Sequence, residues 1–275
     1  MDEITQPGSA KPRLPTQPST PSSGHGAPAG PGLRDPRRLP AGQGAAWWSE
    51  GWQVFMAAPG TWIGIAVILI LIMIALAFVP ILGNLAQTVL APIFGGGIAL
   101  GCHALAKGRP LAIGHLFEGF TGNRFMPLFI VGLICLAATF VIWIAVIALV
   151  LGVAGGAGLF SALSADPSQM GLAVLGSLGL SALVIAPIAI VASALIAMAY
   201  WFTPALVALN GDEPIAALKK SFRACWQNFG ATLIYGLIFI GLAIVASIPF
   251  GLGWIVLAPV MAGSWFASWR ETFDA

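Results

Sequence analysis

The chain of 275 residues is 58% hydrophobic and only 8% charged, with a mean hydropathy of +0.92. A soluble domain carries about 25% charged residues, so a water-soluble globule is excluded and lipid must cover what polar groups cannot. The net charge of +2 gives no sign of nucleic-acid binding.

The placement of charge says more than its total. No Asp, Glu, Lys or Arg occurs between Glu50 and Lys107, between Arg124 and Asp166, between Asp166 and Asp212, or between Arg223 and Arg270. Each gap is long enough for at least one membrane span of roughly 20 apolar residues.

Residues 1–44 are rich in Pro, Gly, Ser and Arg without apolar periodicity, and predict a disordered cytoplasmic tail. No apolar segment closely follows its basic residues, so it does not read as a signal peptide. Arg34, Arg37 and Arg38 read as a topology signal with weak attraction to anionic lipid. Residues 45–275 form the expected polytopic domain. Its first element, 45–58, predicts a short amphipathic helix with Trp48, Trp52 and Phe55 on one interfacial face.

Span 1 is expected over 61–82 and span 2 over 85–106, separated by a tight turn at Gly83-Asn84. Span 2 contains Pro92 and Gly97-x-x-x-Gly101, a small-residue face suited to close helix packing. In the connection that follows, Ile113, Leu116, Phe117 and Phe120 predict a second short amphipathic helix. Span 3 covers 127–150, and 152–169 reads as a loop of small residues. Span 4 covers 178–206, kinked near Pro187, with Tyr200 and Trp201 at its interface end. Residues 212–228 predict a third amphipathic helix. Ile215, Leu218, Phe222, Cys225 and Trp226 take one side; Lys219, Lys220 and Arg223 lie towards the other. Spans 5 and 6 are expected over 230–248 and 253–268.

Six spans with both termini cytoplasmic put all twelve Lys and Arg residues on the inner side, as the positive-inside rule demands. The expected fold is therefore an all-α membrane protein of six transmembrane helices.

Those helices read as three hairpin units, about 45–106, 113–209 and 214–270, each preceded by its interfacial helix. Glu50-Gly51-Trp52, Glu118-Gly119-Phe120 and Lys220-Ser221-Phe222 occupy matching positions. So do Leu90-Ala91-Pro92-Ile93, Ile185-Ala186-Pro187-Ile188 and Leu257-Ala258-Pro259-Val260. Ordered recurrence of this kind is the signature of an internal repeat. It predicts similar depths for the three prolines, with unit 2 longer on both sides of Pro187. The outer turns of units 1 and 3 match as well, Val79-Pro80 with Ile248-Pro249.

Chemistry is sparse. Cys102, Cys135 and Cys225 are odd in number and scattered, and read as reduced packing thiols. His103 and His115 lack zinc spacing and an acidic orienter, and the Gly-rich runs lack a phosphate-loop lysine. No catalytic, cofactor-binding or metal-binding residues and no cofactor are expected. Polar residues within the spans are Gln87, Thr88, Thr139, Ser181, Ser193 and Thr203, expected to bond to helix backbones.

Several motifs together resemble a group of uncharacterised bacterial inner-membrane proteins. They are Glu50-Gly51-Trp52, Pro80-Ile81-Leu82-Gly83, Leu90-Ala91-Pro92-Ile93, Gly101-Cys102-His103-Ala104-Leu105, His115 through Phe120, Pro249 through Gly253, and Ala267 through Arg270. More loosely, the chain is similar to the membrane portion of some glycerophosphodiester phosphodiesterases, without their hydrolase domain. The resemblance implies an inner-membrane location and supplies no activity. The leading expectation is a non-enzymatic scaffold or accessory protein, with the lipid bilayer and a membrane-protein partner or second copy around it. The alternative is a transporter or lipid-handling protein for a neutral or lipid-like solute.

Overall fold

The computed structural model describes residues 35–164 and 170–273, which belong to one compact unit. The described residues form helices without strands. These are α1 (Gln43–Ala57), α2 (Pro59–Ala77), α3 (Leu82–Ala106), a 3₁₀ helix (Ile113–Phe120), α4 (Phe125–Ser164), α5 (Met170–Tyr200), a single turn α6 (Thr203–Ala205) running into a π-helix (Leu206–Asn210), α7 (Pro214–Gln227), α8 (Phe229–Ser247) and α9 (Trp254–Phe273). The order short helix, long helix, long helix therefore occurs three times. Each pair of consecutive long helices is in contact: α2 with α3, α4 with α5, α8 with α9.

Five segments are long and apolar enough to cross a membrane: Pro59–Ala77, Leu82–Ala106, Gly122–Gly152, Ile185–Asn210 and Phe229–Ser247. The expected sixth span corresponds to α9, which is not among them. The reason is its second half, where Ser264, Ser268, Arg270, Glu271 and Thr272 dilute the apolar content. The residues there face protein: Ser264, Ser268 and Thr272 are buried, as are Phe266, Ala267 and Trp269. Buried hydroxyls need bonds, and each has one, to Met261 O, Trp265 O and Ser268 O respectively.

The core sits along α3 and α9 and under the short helices. Each short helix lies on a long helix from the set before it. The 3₁₀ helix packs on α3, α7 on α5, and α1 on α9, so the first element meets the last and a ring closes. Two glycines make the approach possible. A Cβ on Gly119 would fall on the Ile93 carbonyl, and one on Gly51 would fall on the Val260 carbonyl and 2.7 Å from Ser264 N. Ile93 and Val260 directly follow Pro92 and Pro259, so both ends of the repeated motifs meet in one contact.

The third contact differs. Ser221 replaces the glycine, and its hydroxyl donates to Met198 O (2.8 Å) and accepts from Phe202 N (2.9 Å). These partners lie well beyond Pro187, which is itself exposed. In this unit the contact therefore falls well past the proline, whereas in the other two it directly follows it.

The geometry at Ser221 also explains where the long fourth span breaks. An uninterrupted helix would bond Phe202 N–H to Met198 O, four residues back. Ser221 Oγ inserts between them. Pro204 has no N–H for Tyr200 O, and α5 ends at Tyr200. The helix thus runs through Pro187 and is interrupted at 201–202.

Other expectations are revised. Residues 152–164, read as loop, continue α4; an apolar run in lipid keeps its backbone bonds by staying helical. Residues 165–169 lie outside the described residues. The segment 113–120 is a 3₁₀ helix, not an α-helix. Trp48 and Phe55 point into the core, leaving Trp52 half exposed. Trp48 stacks on Tyr235 at 4.7 Å and donates to Tyr235 O. The third short helix, α7, buries its small residues, Ala217, Ser221, Ala224 and Cys225. Ile215, Trp226, Lys219 and Arg223 share its exposed side, because the close seat on α5 admits only small side chains. The tail expected to be disordered through residue 44 is held down over 35–44. Arg37 N donates to Thr272 O, Leu39 N to Asn228 Oδ1, and Asn228 Nδ2 to Arg37 O. The rest of that tail lies outside the described residues.

The turn between α2 and α3 lies before the expected Gly83-Asn84, which belong to α3, and shares one backbone feature with the turn between α8 and α9. Residues after the matching prolines, Ile81 and Phe250, both have positive φ (67° and 53°). The bonding differs: Leu82 N donates to Pro80 O at 2.8 Å, closing a γ-turn centred on Ile81, whereas Phe250 N donates to Ile248 O at 2.9 Å, centred on Pro249.

Candidate functional site

Two concavities stand out among the described residues. The larger, about 510 Å³, lies between α5 and α8. Ala194, Ala197 and Met198 of α5 form one wall, and Leu233, Gly236 and Leu237 of α8 form the other. These small α5 side chains and the glycine keep the two helices from filling the gap. Trp201, Tyr235 and Met261 make the floor, and Cys225 and Phe229 close the end beside α7.

The polar groups of that floor are committed elsewhere. Tyr235 OH and Ser264 Oγ are 2.9 Å apart, and Trp201 O accepts from Trp265 Nε1 at 2.7 Å. The Trp201 and Tyr235 rings meet edge-on at 5.5 Å. What faces the groove is therefore ring and hydrocarbon surface, with Thr232 as the lining's other hydroxyl. Cys225 is buried, and burial pushes its thiol up to about 12, with the neighbouring Ser221 side chain offsetting part of the rise. The thiol is thus inert as a nucleophile near neutral pH.

The smaller pocket, about 400 Å³, lies beside the π-helix and is lined by Asn123, Arg124, Pro127 and residues 207–212. Its charges are tied down. Arg124 Nε donates to Ala208 O at 3.1 Å, and the largely buried Asp212 carboxylate accepts from Lys220 Nζ at 2.9 Å. Lys220 Nζ also sits 5.6 Å from the centre of the Phe273 ring.

The polar residues singled out from the sequence do not converge. Gln87 donates to Met73 O, Thr88 to Asn84 O, Thr139 to Cys135 O and Thr203 to Ala199 O. Ser193 is exposed, and the Ser181 side chain lies outside those described. His103 meets the Phe266 ring edge-on. His115 Nδ1 lies 2.9 Å from Ala112 N, and its Nε2 lies 3.8 Å from Glu118 Oε1. Among the described residues no His, Cys, Asp and Glu side chains group as a metal site.

Sequence reasoning missed Tyr235, Asn228 and the contact of Trp47 Nε1 with Glu271 Oε2 (2.7 Å). A tyrosine inside an apolar run, one of two in the chain, is the signal that could have found the groove floor.

No family model and no solved structure matches the chain. It is 26% identical over 216 residues, 78% of each chain, to a protein of Burkholderia thailandensis named a probable inner membrane protein. These comparisons carry no similarity to glycerophosphodiester phosphodiesterases. Five helices of spanning length and this relative together make the chain an integral inner-membrane protein, similar to bacterial inner-membrane proteins of unknown activity.

Proposed function

We propose that the chain is a non-enzymatic accessory or scaffold protein of the inner membrane, with six spans in three units and both termini cytoplasmic. The observation that carries this reading is the interior. Gln87, Thr88, Thr139 and Thr203, the residues that could line a polar path, each bond to a helix backbone. Neither concavity is built from them.

α9 serves as the sixth span because a helix covered by protein need not be apolar throughout. Its twenty residues reach about 30 Å, the thickness of the hydrocarbon core. The short helices then lie at the cytoplasmic edge, where their Lys and Arg residues satisfy the positive-inside rule. Reporter fusions after residues 41, 81, 108, 211, 251 and 273 test the topology; cytoplasmic signal at 81 or 251 overturns it. Purification in mild detergent tests the role; this reading expects a reproducible membrane-protein partner or oligomer, and their absence overturns it.

The groove between α5 and α8 favours a second reading, handling of a lipid-like molecule. Lipid profiling of a deletion strain tests it, and unchanged membrane composition counts against it.

A further inference from the structure

We propose that the α5/α8 groove is a binding site for a phospholipid of the surrounding bilayer. One acyl chain lies against Trp201 and Tyr235, and an anionic headgroup lies at the α7 end near Lys219 and Arg223. The inference deepens the lipid-handling reading and rests on it for the ligand class.

Three observations select this occupant. The first is access. The rim residues Leu233, Leu237 and Ile240 are about half exposed and belong to Phe229–Ser247, one of the five segments fit to cross a membrane. The opposite wall belongs to Ile185–Asn210, another of them. The groove therefore opens onto hydrocarbon, and its ligand arrives from the bilayer. Its volume of about 510 Å³ falls within the range of roughly 300–1,000 Å³ usual for small-molecule sites.

The second is chemistry. Tyr235 OH, Trp201 O and Trp265 Nε1 have protein partners. A polar solute would forfeit its hydration and gain almost no hydrogen bonds. A hydrocarbon chain loses nothing there and gains contact with two aromatic rings.

The third is charge. The closed end of the groove is made by Cys225 and Phe229. Arg223 and Lys219 lie on the exposed side of α7, turned away from the buried Cys225, so the headgroup reaches them past the closed end and not inside the groove. Arg223 pairs with Asp35 at 3.0 Å, but both side chains are mostly exposed (62% and 88%). Such a surface pair is weak and exchangeable. A lipid phosphate offers the guanidinium a two-pronged partner instead.

The test uses the full chain in mild detergent, with native mass spectrometry reading bound lipid. Phosphatidylglycerol and phosphatidylcholine of identical acyl chains are the probes, and free phosphate is the control. Gly236 lines the groove and a Cβ there meets nothing within 4 Å, so Gly236→Phe is the variant that fills it. The wild type is expected to retain phosphatidylglycerol at least fivefold over phosphatidylcholine and to retain no free phosphate. Gly236→Phe is expected to lower both lipids at least tenfold. The double variant Lys219→Gln/Arg223→Gln is expected to abolish the preference and keep chain binding. Lipid binding by Gly236→Phe equal to wild type overturns the site. Equal retention of the two lipids by the wild type overturns the headgroup assignment. Ala197→Phe on the opposite wall gives the same reading if Gly236→Phe does not fold. A wild-type photolabelling experiment, with a diazirine in the acyl chain, must mark peptides within 229–240, and labelling confined to α2 or α4 overturns the proposal. Failure here leaves the lipid profile of the deletion strain free to change, so this site and the broader reading fail separately.

Discussion

Ser221 holds two backbone groups that a continuous helix would have paired with each other. Its hydroxyl donates to Met198 O and accepts from Phe202 N, and the side chain is fully buried. Removing the oxygen strands both groups unless α5 straightens, and straightening would pull Trp201 out of its bond with Trp265. A buried polar group left unpaired costs about 1–3 kcal/mol. Ser221→Ala should therefore lower the thermal midpoint measured in detergent, and Ser221→Thr should restore the bonds only where its extra methyl fits. An unchanged midpoint for Ser221→Ala would show that the oxygen is not holding the break open. Ile81 carries a different stress. A β-branched residue at φ 67° occupies a region that costs on the order of 1–3 kcal/mol. Ile81→Gly should raise the midpoint, whereas Ile81→Val should not. A midpoint that falls for the glycine variant would mean that the Ile81 side chain contributes more than its backbone costs.

The short helices are seated by backbone, not by side-chain bulk. At Gly51 and Gly119 the neighbouring atoms are carbonyl oxygens of α9 and α3, which cannot rotate aside. Gly51→Ala and Gly119→Ala should each lower the yield of folded protein, with a loss of about 1–3 kcal/mol or more from overpacking. Gly236→Ala, with open space around it, should fold as wild type. Equal tolerance at all three positions would contradict the seating. This contrast also explains what could be read from the sequence. Charge-free runs and the matching prolines are properties of chain order, so the long helices and their order were legible, while the 3₁₀ form of 113–120 and the turn at Pro80–Leu82 instead of Gly83-Asn84 were not. Which face of a short helix points inward was not. Aromatic spacing put Trp48 and Phe55 at the interface, but Tyr235 and α9 offered them a stacked and buried seat. Small residues on α7 looked neutral by hydropathy, yet they were the contact face, because approach distance decided it. The groove depends on two helices failing to touch, which no single-helix pattern encodes.

At the scale of the whole molecule, the ring makes distant elements share one fate. α1 closes on α9 through Gly51, the Glu50–Arg270 pair at 2.7 Å and the Trp47–Glu271 bond. Residues 37–39 then tie that end to Asn228, at the junction of α7 and α8. Loosening α1 should therefore be felt at α7, and Cys225 reports it. Its thiol, pushed up to about 12 by burial, stays protonated at pH 8, where an exposed cysteine is partly thiolate. In native membranes at pH 8, Cys225 should resist maleimide; SDS should release it. Gly51→Ala, which touches no residue of α7, should speed the labelling at least tenfold if the ring unfolds as a unit. The same shift carries a pH dependence. Above about pH 9 the unfolded chain gives up its Cys225 proton while the folded chain keeps it, so stability from this group falls as pH rises from about 9 to about 12. Cys225→Ala should flatten that part of the alkaline stability profile. Labelling of Cys225 that ignores Gly51→Ala would mean that the three sets unfold independently and that the contact between first and last elements is not structural glue.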